Sequence, residues 1–155
     1  MQNFNVAVVG CGRISGHHCR SLSSVDGLKI IAVCDLIEEK AKLYSEEFNV
    51  PYFTNYDQMF NKLPEIDIVV VATPSGMHFE HGIEFIEKYG KHVVIEKPTF
   101  MRPDQVEKAY DAADKMGLQI FPVFQNRYNK AVQHVKNAIQ NKKLGDIRIM
   151  NVRLR

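Results

Sequence analysis

Short apolar runs alternate with amphipathic stretches along nearly the whole chain. The runs at about 5–9, 28–35, 51–54, 66–72, 92–96 and 119–124 predict six strands. The intervening stretches, at about 13–24, 37–48, 56–62, 78–89, 103–116 and 129–141, carry the 3.6-residue period of helices. The central strands are close to continuously apolar, as in Ile66-Asp67-Ile68-Val69-Val70-Val71, which is the pattern of strands covered on both faces. Punctuation agrees: Pro103 and Asp104 open a helix, and Gly117 and Gly90 stand where helices close. Strict alternation of this kind predicts an α/β, doubly wound Rossmann fold with a mainly parallel sheet. Asp146–Arg155 reads as one more strand, with no turn after it.

The first strand runs into Gly10-Cys11-Gly12-Arg13-Ile14-Ser15-Gly16 and then into a helical pattern. A strand, a Gly-x-Gly turn and a helix N-terminus together aim backbone N–H groups and positive potential at a pyrophosphate. Gly10 permits the tight turn and Gly12 the close approach. The usual third glycine position is Ser15, small enough for helix and strand to pack closely, and a glycine follows at Gly16. The second strand, Leu28 to Asp35, ends in a carboxylate about 20 residues past the glycines, the position that accepts hydrogen bonds from an adenosine ribose. An anion there repels a 2′-phosphate, and Leu36 beside it offers no cation, so NAD is expected over NADP. Lys40 and Lys42 lie further along the following helix and read as solvated.

Composition narrows the class. A chain of 155 residues fits one domain with a proper core, and a formal net charge of +2 from 20 basic and 18 acidic residues gives no field for nucleic acid. Lys142-Lys143 reads as the end of a helix. No apolar stretch is long enough to cross a bilayer and no secretion signal leads the chain, so a cytoplasmic protein is expected. Cys11, Cys19 and Cys34 lack Cys-x-x-Cys spacing and read as reduced, buried thiols. His78 and His81 flank Glu80 without a third ligand at suitable spacing, so no metal is expected.

Three further polar motifs stand just past strand ends, where a sheet of this kind presents its chemistry. Ala72-Thr73-Pro74-Ser75-Gly76-Met77-His78 follows the fourth strand, with Thr73, Ser75 and His78 able to face a ligand. Glu96-Lys97-Pro98 follows the fifth. A partly buried lysine there would hydrogen-bond a substrate hydroxyl and ease proton transfer. Gln125-Asn126-Arg127-Tyr128-Asn129 follows the sixth and collects amide and guanidinium donors suited to a hydroxylated or anionic ligand, with Asn129 read as a helix N-cap. Each motif has a plainer reading as turn chemistry or a surface pair. Their recurrence at three successive strand ends, beside a phosphate loop at the first, favours a site.

Taken together, Gly-Cys-Gly-Arg-Ile-Ser, Val-Cys-Asp, Ala-Thr-Pro-Ser-Gly-Met-His, Glu-Lys-Pro and Gln-Asn-Arg-Tyr-Asn resemble, in order and over essentially the whole chain, the N-terminal domain of the Gfo/Idh/MocA (glucose–fructose oxidoreductase / inositol dehydrogenase) family. The resemblance implies an NAD(P)-dependent dehydrogenase acting on a secondary hydroxyl of a sugar, sugar nucleotide or polyol. It implies that Gly10, Cys11, Gly12, Arg13 and Ile14 hold the pyrophosphate and Asp35 the adenosine ribose. Thr73, Pro74, His78 and Gln125 line the dinucleotide, Glu96 touches the nicotinamide ribose, and Lys97 stands at the reacting carbon. A cis Lys97–Pro98 bond is also implied. Asn126 and Arg127, with the following helix and Leu144-Gly145-Asp146-Ile147, are similar to the branch that oxidises the 3-hydroxyl of UDP-N-acetylglucosaminuronate-type sugars for surface polysaccharides, where Arg127 would grip an anionic part of the substrate.

The domain organisation expected is a dinucleotide-binding domain at 1–124, a connecting loop and helix at 125–145, and at 146–155 the start of a second α/β domain that would complete the substrate pocket and form a homo-oligomer interface. On that reading the chain alone binds dinucleotide and turns over little. The alternative is a non-catalytic dinucleotide-sensing module, against which Lys97 within Glu-Lys-Pro speaks. A homodimeric scaffold built on the terminal strand is weaker still.

Overall fold

A computed structural model of the chain describes residues Asn3–Arg153. The chain forms two compact units, one through Val123 and one from Phe124 onward. In the first, strands and helices alternate as β1 (Phe4–Val9), α1 (Ser15–Ser23), β2 (Leu28–Cys34), α2 (Glu38–Phe48), β3 (Tyr52–Phe53), α3 (Tyr56–Lys62), β4 (Ile68–Val71), α4 (His78–Glu87), β5 (His92–Ile95), α5 (Pro103–Met116) and β6 (Ile120–Pro122). The six strands form one sheet in the order β3-β2-β1-β4-β5-β6, and every neighbouring pair is parallel. This is the doubly wound α/β fold that the alternation predicts. The reversal of strand order between β1 and β4 opens a crevice at the carboxyl edge.

Both faces of the sheet are buried, which explains the continuous apolar runs. On one face Ala7, Val9, Val69, Val71, Val93 and Ile95 pack against Met59 and Phe60 of α3, Phe85 and Ile86 of α4, and Ala109, Ala112 and Ala113 of α5. On the other, Val6, Val8 and Val70 pack against Cys19 and Leu22 of α1 and Tyr44 and Phe48 of α2. Each fully buried valine contributes about 1.5–3 kcal/mol of transfer free energy. The alanines of α5 let that helix lie close to the sheet. Gly117, with φ 66°, closes α5 in the left-handed conformation that its position predicts.

Strand ends differ from the sequence pattern. β4 begins at Ile68, and just before it the Asp67 carboxylate accepts a hydrogen bond from the Asn5 N–H at 2.8 Å. Ser75–Met77 and Gln125–Tyr128 form short 3₁₀ turns. In the second unit, Asn129 caps α6 (Lys130–Gln140) by accepting from the Ala131 N–H at 2.9 Å, as read from the sequence. The strand expected over 146–155 does not form across its described residues, 146–153; Leu154 and Arg155 lie outside them. A strand needs a partner for its ladder, and none pairs with this segment among the described residues.

Gly10 is where side-chain absence matters most. Its φ is +94°, and a Cβ there would stand 2.5 Å from the Ala72 carbonyl oxygen. Gly12, by contrast, has open space where a Cβ would point. Gly10→Ala is therefore expected to cost about 3 kcal/mol or more through backbone strain and collision, a fall of roughly 10 °C in Tm. Gly12→Ala should leave Tm within about 2 °C. Calorimetric melting of the two variants checks the contrast, and equal melting would contradict it.

Candidate dinucleotide site

The carboxyl ends of β1, β2 and β4 enclose a cleft of about 430 Å³, lined among others by Gly12, Asp35, Ile37, Thr73, Pro74 and His81. Its floor is the glycine loop. The Gly10 N–H donates to the Cys34 carbonyl at 2.8 Å, and the Cys11 N–H donates to Asp35 Oδ2 at 2.7 Å. Both donors expected to meet a pyrophosphate are thus used inside the chain, and these two residues shape the loop instead. Among the described residues the N–H groups of Gly12, Arg13 and Ile14 have no partner, and they remain for an anion. Ser15 fills the third-glycine position by turning its hydroxyl back onto the Gly10 carbonyl. The Tyr44 hydroxyl of α2 donates to the Gly12 carbonyl at 2.7 Å and braces the loop from behind, a contact that no motif announces.

Asp35 stands at the tip of β2. Besides Oδ2 on Cys11, its Oδ1 accepts from the Ile37 N–H at 2.8 Å at the start of α2. Each oxygen retains capacity for a further bond, as a ribose diol requires. Lys40, read from the sequence as merely solvated, is exposed and also lines the cleft.

The opposite wall is the loop after β4. Thr73 Oγ1 lies 3.0 Å from His81 Nδ1. His81 is only 8 % exposed, stacks on Phe85, and is held neutral because burial pushes its pKa below the ordinary histidine value. Its place in the lining went unnoticed in the sequence, where its spacing to His78 suggested only a failed metal site. His78 itself does not line the cleft. It is 1 % exposed, and its ring nitrogens lie 2.8 Å from the carbonyl oxygens of Thr73 and Pro98, so it ties the loop after β4 to the loop after β5. Pro74 is exposed on the cleft wall.

Past β5, Glu96 is 5 % exposed, and its Oε1 lies 2.8 Å from His18 Nε2 of α1. Glu96 Oε2 accepts from the Lys97 N–H at 2.9 Å. Lys97–Pro98 is cis. The Lys97 side chain is exposed, not partly buried as expected, and its ammonium forms no ion pair among the described residues. Gln125, Asn126 and Arg127 belong to the second unit, on the 3₁₀ turn ahead of α6, and all three are exposed. Arg127 stacks over the Phe124 ring at 5.1 Å. Among the described residues no group of His, Cys, Asp and Glu is arranged to hold a metal.

The three cysteines near the loop are free and buried. Desolvation, followed by the Asp35 charge, pushes Cys11 and Cys34 up to about 12; desolvation, then Glu47, pushes Cys19 up to about 11. A thiol reacts as its thiolate, so at pH 8 none of the three should react rapidly with a disulfide reagent in the folded protein, and all three should react in guanidinium. A rapidly consumed equivalent under native conditions would contradict this burial.

Comparison with known proteins agrees with the geometry. Residues 4–124 match the model of an oxidoreductase family with an NAD-binding Rossmann fold. The D-glucoside 3-dehydrogenase of Escherichia coli (strain K12) is 28% identical over 96% of this chain and 42% of its own length. The structure of the WlbA dehydrogenase from Bordetella pertussis, in complex with NADH and UDP-GlcNAcA, superposes with a TM-score of 0.84 at 33% identity, over 94% of this chain and 42% of that one. Scyllo-inositol dehydrogenase from Lactobacillus casei, with NAD(H) and scyllo-inositol, gives 0.82 at 25% identity, over 94% and 43%. This chain thus spans about two fifths of the length of the proteins it resembles. It belongs to the Gfo/Idh/MocA oxidoreductase family, and residues 4–124 are its NAD-binding Rossmann fold.

Proposed function

We propose that the protein containing this chain is an NAD-dependent dehydrogenase that oxidises a secondary hydroxyl of a sugar, sugar nucleotide or polyol. The observation that carries the reading is the carboxyl edge itself. Free N–H groups at Gly12, Arg13 and Ile14 stand beside open space at Gly12, with the Asp35 carboxylate on one side and the exposed amine of Lys97 following β5 on the other. These residues fit a dinucleotide: donors for two phosphates, acceptors for a ribose diol, and a wall at Thr73 and Pro74.

NAD, when bound, supplies the hydride acceptor. The chain's residues do the rest. Asp35 accepts from the adenosine ribose and disfavours a 2′-phosphate. Glu96 accepts from the second ribose. Lys97 Nζ would hydrogen-bond the substrate hydroxyl and relay the proton it gives up to solvent water, while NAD would take the hydride. Gln125, Asn126 and Arg127 remain ligand-binding candidates on the family resemblance, their exposed amide and guanidinium groups being suited to a hydroxylated or anionic ligand. A sugar nucleotide is the favoured substrate class, supported by the 33% identity to a dehydrogenase crystallised with UDP-GlcNAcA. The three unpaired thiols support a cytoplasmic location, and the small net charge of +2 supports no role with nucleic acid. The complete protein is read as a homo-oligomer assembled through a further domain, with 125–145 as the connector to it.

Calorimetric titration is expected to show saturable NAD binding that exceeds NADP binding. Asp35→Ala should weaken NAD by about 10- to 100-fold, the loss of charge-assisted hydrogen bonds. NADP binding as tight as NAD would overturn the role of Asp35. In the complete enzyme, Lys97→Ala should lower kcat by about 10²- to 10⁴-fold with NAD affinity nearly intact; unchanged turnover removes Lys97 from the chemistry.

A further inference from the structure

Glu96 presents a problem that its own loop does not solve. A carboxylate 5 % exposed at the edge of a hydrophobic sheet is costly unless its oxygens are hydrogen-bonded. One oxygen takes the N–H of Lys97, the next residue. The other takes a side chain from a distant element, His18 on α1, 78 positions away in sequence. Because an ionised carboxylate only accepts, His18 donates from Nε2. The His18 side chain is 16% exposed and lies one turn beyond Ile14, so the helix that follows the anion-binding loop also grips the carboxylate beyond β5.

The strand order makes this contact relevant to the ligand. Asp35, on β2, fixes the adenosine side. A dinucleotide laid from Asp35 across the N–H groups of Gly12–Ile14 continues toward β4 and β5, where Glu96 and Lys97 are the charged groups that follow β5. Each Glu96 oxygen has accepted one bond and keeps capacity for another. His18 occupies one acceptor position of Oε1.

Resting on the dinucleotide reading above, we propose that His18 is a positioning residue: it holds Glu96, and through it the Lys97 backbone, in place for the nicotinamide riboside half of the cofactor, without itself contributing to the adenosine half.

The test compares two ligands on the same protein: NADH, and ADP, which carries the adenosine and both phosphates but lacks the second ribose and the ring. In His18→Asn, too short to reach Glu96, NADH should bind about five- to tenfold more weakly while ADP stays within twofold. His18→Gln, which returns an N–H at similar reach, should bring NADH back to within threefold of wild type. Should His18→Asn melt too low to assay, His18→Leu, which keeps apolar bulk on α1 but offers Glu96 no N–H, is expected to show the same selective loss. Equal weakening of NADH and ADP would mean that His18 merely supports α1 and would overturn the proposal, as would unchanged NADH binding in His18→Asn. Wild-type protein that binds neither ligand would instead overturn the dinucleotide reading itself.

Discussion

The site depends on the parallel seating of β1 between β2 and β4. In that register the end of β1 lies so near the end of β4 that only a glycine fits at position 10, with the Ala72 carbonyl where a side chain would stand. The same closeness turns the chain sharply and brings Cys11 under Asp35. The apolar contacts on both faces hold the strands in that register, and the polar geometry at the carboxyl edge is its consequence.

The polar groups at the edge divide into those that serve the protein and those left for a ligand. Gly10 and Cys11 spend their donors on β2, His78 spends its ring on two loop carbonyls, and Tyr44 spends its hydroxyl on Gly12. These contacts fix the loops without filling the cleft. What remains outward is a short run of free N–H groups, the spare capacity of two carboxylates, and an amine. An arrangement in which the inner bonds are already made costs little reorganisation when a ligand arrives.

Two histidines show how helices from opposite faces of the sheet stiffen one edge. His18 comes from α1 and His78 from α4, and both end on the Glu-Lys-Pro segment, one at the Glu96 carboxylate and the other at the Pro98 carbonyl. That segment is therefore fixed to α1 through one ring and to the loop after β4 through the other, although its own strand has ended.

Much of this was legible in the sequence. Continuous apolar runs separated by amphipathic stretches determine a two-faced parallel sheet, because period and burial are local properties of the chain. The glycine turn, the acid closing β2 and the caps at Asn129 and Gly117 are equally local, since each reflects the backbone conformation of its own few residues. Tertiary structure alone decided the rest. Nothing in the spacing of His18, Tyr44, His78 or His81 distinguishes a strut from a cleft wall, because their partners lie on other elements and only packing brings them together. The same holds for the donors of Gly10 and Cys11, taken by β2, and for Lys97, exposed where partial burial was expected. The strand pattern at 146–153 shows the complementary case: alternation encodes a strand, but a strand exists only where another edge accepts its hydrogen bonds.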